Sequence, residues 1–61
     1  MYRVTLLEKE EILLFKELED YENTFTYIES LIKQLGKNRK IIVHEKRDDK
    51  WAKFGEWKLE Q

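Results

Sequence analysis

Cysteine and proline are both absent from these 61 residues, glycine occurs only twice and histidine once. Without cysteine the chain has no disulfide, no thiolate nucleophile and no thiolate metal ligand, a usage that suits a reducing compartment. With one imidazole, a structural zinc would have to draw its remaining ligands from carboxylates, an uncommon set. Gly36 and Gly55 stand alone, so no glycine-rich phosphate loop is present. The longest uncharged apolar run, Ile12 to Phe15, falls far short of the roughly 20 residues of a membrane span and of the apolar core of a signal peptide. The expected location is the cytoplasm, of the protein's own cell or of a host.

What the chain does have is charge and rings. Charged residues make up 41% of it, against roughly 25% in an ordinary domain, and three Phe, three Tyr and two Trp supply enough ring surface to argue for order. A chain of this length is expected to form one domain, 1–61, whose core is marginal unless something staples or covers it. The net charge of −1 conceals a split: residues 1–32 hold eight acids against Arg3, Lys9 and Lys16, whereas residues 33–61 hold nine bases against five acids. Complementary halves attract within a fold or between copies, although a solvated face of each sign gives the same pattern.

From Asp20 to Gly36 the apolar spacing is helical. Tyr21, Phe25, Ile28, Ile32 and Leu35 recur at steps of four and three, which predicts a helix over 21–35 with these residues as its core-facing stripe and Leu31 widening it. Asp20 can cap the first turn, Glu22 and Lys33 match the helix dipole, and Gly36 can close the helix in the left-handed region. Thr26 and Glu29 offer a second capping box, so a start at Tyr27 is the alternative. Tyr21, Phe25 and Tyr27 read as core and core edge.

Tyr2, Val4 and Leu6 alternate with Arg3 and Thr5, the period of a half-buried strand over 2–7. A second strand over 12–18 is apolar on both faces, which makes a first hairpin. Its turn, Glu8 to Glu11, lacks the Gly, Asn, Asp or Pro that tight turns favour. The same residues permit a rival, a coiled coil with the seam Leu7, Glu11, Leu14, Leu18, Tyr21, Phe25, Ile28, Ile32 and Leu35. The hairpin is preferred because Leu6, Ile12, Leu13, Phe15, Tyr27 and Leu31 fall off that seam and would be exposed. The β-branched run Ile41 to Val43 marks a strand over 40–46, Arg47 to Lys50 a turn, and 51–59 a fourth strand. A bulge at Gly55 would place Phe54, Trp57 and Leu59 beneath the helix and turn Trp51 outward. The expected fold is therefore α+β, a small ββαββ domain with a four-stranded antiparallel sheet and one helix packed on one face.

No residue pattern names an activity. Ser30 and His44 lack a nucleophile elbow, and His44 with Glu45, Asp48 and Asp49 looks like an ordinary polar strand, so the chain reads as non-catalytic with no cofactor and no metal. The second sheet face would still show apolar groups, including Leu13 and Phe15, and a partner is the natural cover. The leading reading is a protein-interaction module of the inhibitor or adaptor kind, a size common among viral and mobile-element accessory proteins, with self-association as a homodimer expected. Its candidate contacts are Trp51, Lys50, Lys53, Arg47, Lys46, Leu13 and Phe15. The alternative is a single-stranded nucleic-acid binder that stacks bases on the basic, aromatic C-terminal hairpin, with the low sequence pI of about 5.8 counting against it.

Overall fold

A computed structural model describes residues 1–33, 35–36 and 38–58. Its elements are β1 (Tyr2–Glu8), β2 (Glu11–Leu18), α1 (Tyr21–Ile32), β3 (Arg39–Arg47) and β4 (Lys50–Lys58), the expected ββαββ order. The strands form one antiparallel sheet in the order β2-β1-β3-β4. The coiled-coil alternative is excluded, because Leu7, Glu11, Leu14 and Leu18 lie on strands of the first hairpin. Among the described residues, no helix is long and apolar enough to cross a membrane.

The two hairpins turn through two residues each: Lys9–Glu10 between the paired Glu8 and Glu11, and Asp48–Asp49 between the paired Arg47 and Lys50. All four turn residues have positive φ, 48° and 73° in the first turn and 47° and 66° in the second, the conformation of the mirror-image turn whose twist matches the strands. Asp tolerates that region, whereas Lys and Glu pay for it in strain. Contacts remote in sequence hold the first turn in place. Arg39 donates to the Glu8 carboxylate at 2.8 Å, and the Lys9 amide donates to the Asn38 carbonyl at 3.1 Å.

The helix begins where Asp20 caps it, accepting from the Asn23 amide at 2.8 Å, so the later start at Tyr27 does not occur. It ends earlier than the spacing predicts, at Ile32, with Lys33 as its right-handed cap. Gly36 does not take the left-handed conformation; the positive φ, 70°, is at Asn38, just before β3. The buried stripe is also rotated from the expected one. Thr24, Ile28 and Leu31 are buried, while Tyr21, Phe25 and Ile32 are exposed. Ile28, Leu31 and the half-buried Leu35 are as expected, but the true stripe runs through Thr24, whose hydroxyl is satisfied by the Asp20 carbonyl at 2.7 Å and so buries without penalty.

Against that stripe pack Val4 and Leu6 of β1 and Ile41 and Val43 of β3, completing a core of six buried apolar side chains. Tyr2, Leu14, Leu18, Tyr27, Leu35 and Trp57 pack around it, half-buried. Two bulges shape the sheet. Leu13 is the extra residue of β2, since Leu6 pairs with Leu14 and Leu7 with Ile12. Phe54 is the extra residue of β4, since Val43 pairs with Gly55 and His44 with Lys53. The second bulge brings Phe54 to the helix side, where its ring meets Tyr2 at 5.6 Å and Tyr21 at 6.1 Å. Trp57 joins it there, against the core, and Leu59 lies outside the described residues.

Candidate interaction face

Strand alternation sends the other half of each strand to the face away from the helix. On β1 these are Arg3, Thr5 and Leu7; their partners carry Ile12, Phe15 and Glu17 on β2, and Lys40, Ile42 and His44 on β3. The β3–β4 register adds Lys46, Trp51, Lys53, Glu56 and Lys58. No element covers this face among the described residues. A shallow depression of about 430 Å³ opens on it, lined by Arg3, Thr5, Leu7, Ile12, Phe15, Ile42, His44 and Trp51.

The Arg3 side chain is the centrepiece of the depression. Its guanidinium sits 5.1 Å from the Phe15 ring centre and 4.0 Å from that of Trp51, and donates at 2.8 Å to Glu17. Two rings on opposite edge strands are thus tied to one cation on a central strand, in a geometry where cation–π attraction orders long side chains that would otherwise be mobile. Lys46 also lies 6.0 Å from the centre of the Trp51 ring. His44 is half-buried, and its Nδ1 is enclosed with no hydrogen-bond partner. A buried polar atom left in this state costs folding free energy.

The open face has a surplus of cations. The open face carries Arg3, Lys40, Lys46, Lys53 and Lys58 against Glu17 and Glu56. Lys53 bonds Glu56 and holds its carboxyl below the ordinary value of 4.5, with lesser help from Lys40 and Lys58. Lys40, Lys46 and Lys58 pair with no carboxylate among the described residues. The helix layer has the opposite sign, with Glu19, Asp20, Glu22 and Glu29 against Lys33. On that side the Tyr2 phenol is pushed up from 10.0 by burial and by the Glu45 carboxylate it bonds.

Of the candidate contacts read from the sequence, the structure gathers Trp51 and Phe15 around the depression, with Lys46 and Lys53 at its border. Lys50 is at the β4 turn, and Arg47 pairs with Glu45 at 2.7 Å on the helix side. Leu13 is the exposed bulge residue of β2 and does not line the depression. Trp51 is half-buried under Arg3 rather than standing free among solvated lysines. Arg3, Ile12, Ile42 and His44 escape sequence reasoning. The alternation of β1 carries a signal for Arg3, but the pairing of β1 with β3 that brings His44 beside it is a contact across forty residues. The residues lining the depression offer one imidazole and one hydroxyl beside the Arg3 guanidinium. No protein-family model matches the chain, and no match is found among curated proteins or solved structures.

Proposed function

We propose that this protein is a non-catalytic interaction module of the inhibitor or adaptor type, and that its uncovered sheet face is the contact surface for a protein partner. The observation that carries this reading is the depression itself: exposed Ile12 and Phe15, with Trp51, surround a half-buried Arg3, and lysines border them. Aromatic and Arg anchors in a partly dry centre with a charged rim are the usual anatomy of a protein contact. The excess of cations selects a partner surface that is acidic around an apolar anchor.

Affinity capture from source cells, with nuclease present, tests the proposal. One protein should be recovered by the intact chain and lost with Trp51→Ala or Ile12→Ser, while Phe25→Ala on the helix side leaves recovery unchanged. Recovery indifferent to Trp51 and Ile12 would refute the assignment. A second reading, single-stranded nucleic acid, draws on the same two rings and surplus cations. It is distinguished by oligonucleotide quenching of Trp51 with a steep salt dependence.

A further inference from the structure

The sheet has two free edges, and they are unlike. β4 exposes Lys50, Lys53 and Lys58, which discourage another strand from pairing, whereas both edges carry one bulge, at Phe54 and at Leu13. β2 runs eight residues and presents Ile12, Leu13 and Phe15 at 63%, 46% and 51% exposure. A long apolar edge of this kind is a template for strand addition.

We infer that the β2 edge pairs with the β2 edge of a second copy, antiparallel about a two-fold axis between Leu13 and Leu14. Residues facing each other across antiparallel strands must share a sheet face. The pairing with β1 puts Ile12 and Phe15 on the open face, opposite Leu7 and Thr5, and puts Glu11 and Lys16 on the helix face, opposite Glu8 and Val4. The bulge at Leu13 produces this arrangement, since residues three or five apart in a regular strand would alternate. In the register centred between Leu13 and Leu14, Ile12 faces Phe15 of the second copy and Glu11 faces its Lys16, each contact occurring twice by symmetry. The strand is therefore its own complement in both charge and apolarity. Slipping by one residue sets Glu11 against Glu17 and Ile12 against Lys16, on opposite faces. Centring on Phe15 leaves Lys16 against Leu14 and Glu17 against Leu13, with no charge matched. The paired sheet would have eight strands, and the two depressions would meet at the axis because Ile12 and Phe15 line each of them.

Light scattering of the full chain up to about 0.5 mM tests the pairing, with circular dichroism confirming that each variant folds. The intact protein should be a dimer. Glu11→Lys should weaken dimerisation about tenfold or more, because it replaces two opposite-charge pairs with two like-charge pairs. Combining Glu11→Lys with Lys16→Glu should restore it. A monomer throughout the range, or a dimer indifferent to Glu11→Lys, overturns the inference. A dimer lost with Trp51→Ala and kept with Glu11→Lys does so too, by moving the interface onto the open face. Ile12 and Phe15 belong to both surfaces, but the proposed partner binding is still read separately, since capture depends on Trp51 and dimerisation on Glu11.

Discussion

Gly55 has no side chain because Trp57 occupies the space: a Cβ there would sit 3.0 Å from Cη2 and 3.1 Å from Cζ3 of the indole. The glycine serves close approach, not an unusual φ. Gly55→Ala should therefore lift the indole off the core and cost about 1–3 kcal/mol, and Trp57→Ala about 3 kcal/mol or more, both measured by denaturant unfolding. Trp51→Ala removes a ring from the open face and should cost less than either, the difference showing that the two tryptophans have different tasks. His44 supplies a second case. Its enclosed, unpartnered Nδ1 burdens the fold, so His44→Leu should leave stability unchanged or raise it by up to about 1 kcal/mol while weakening partner capture. A variant that unfolds would show that the imidazole is structural. Glu56 titrates against Lys53, which holds its carboxyl below the unfolded value of 4.5. That stabilisation is present above pH 4.5 and fades as the pH falls through the lower folded value; Lys53→Met should abolish this part of the acid transition, read by NMR titration of the Glu56 carboxyl.

The first hairpin is the element in which sequence and structure pull against each other. Its strands were legible from their period of two, but its turn was not, because Lys9 and Glu10 are poor residues for positive φ. Changing them to Asn-Gly should raise stability by about 1–2 kcal/mol and the melting temperature by several degrees, since strain is removed and no contact is lost but that of exposed side chains. No gain would mean that the Glu8–Arg39 pair and the Lys9–Asn38 bond fix the turn regardless of its residues. The helix was legible in position and start but not in phase. A pattern of apolar letters assigns Thr24 to the wet side, and only its bond to the Asp20 carbonyl shows why it is buried while Phe25 is not. Of the open face, Phe15 and Trp51 could be read from their own strands. Arg3 and His44 could not be joined to them without knowing that β1 and β3 are neighbours at the centre of the sheet.

For the molecule as a whole, net charge is the wrong summary. A value of −1 describes a body with little field, yet five cations and two acids share the open face, while the helix side carries Glu8, Glu11, Glu19, Asp20, Glu22, Glu29 and Glu45 against Lys16, Lys33, Arg39, Arg47 and Lys50. The proposed acidic partner would therefore meet the cationic open face, with Arg3 and its rings, in preference to the helix side. Orientation of that kind shortens the random search that limits most protein associations. Stopped-flow measurements on the captured partner should show an association rate that falls steeply as salt is raised from about 20 to 200 mM while the dissociation rate hardly moves, because screening erases the approach and leaves the seated contact intact. Reversing Lys46 and Lys58 to Glu should flatten that salt response. If the open face is the contact surface proposed above, its surplus of cations would govern how often an encounter succeeds, a property of the free molecule in motion.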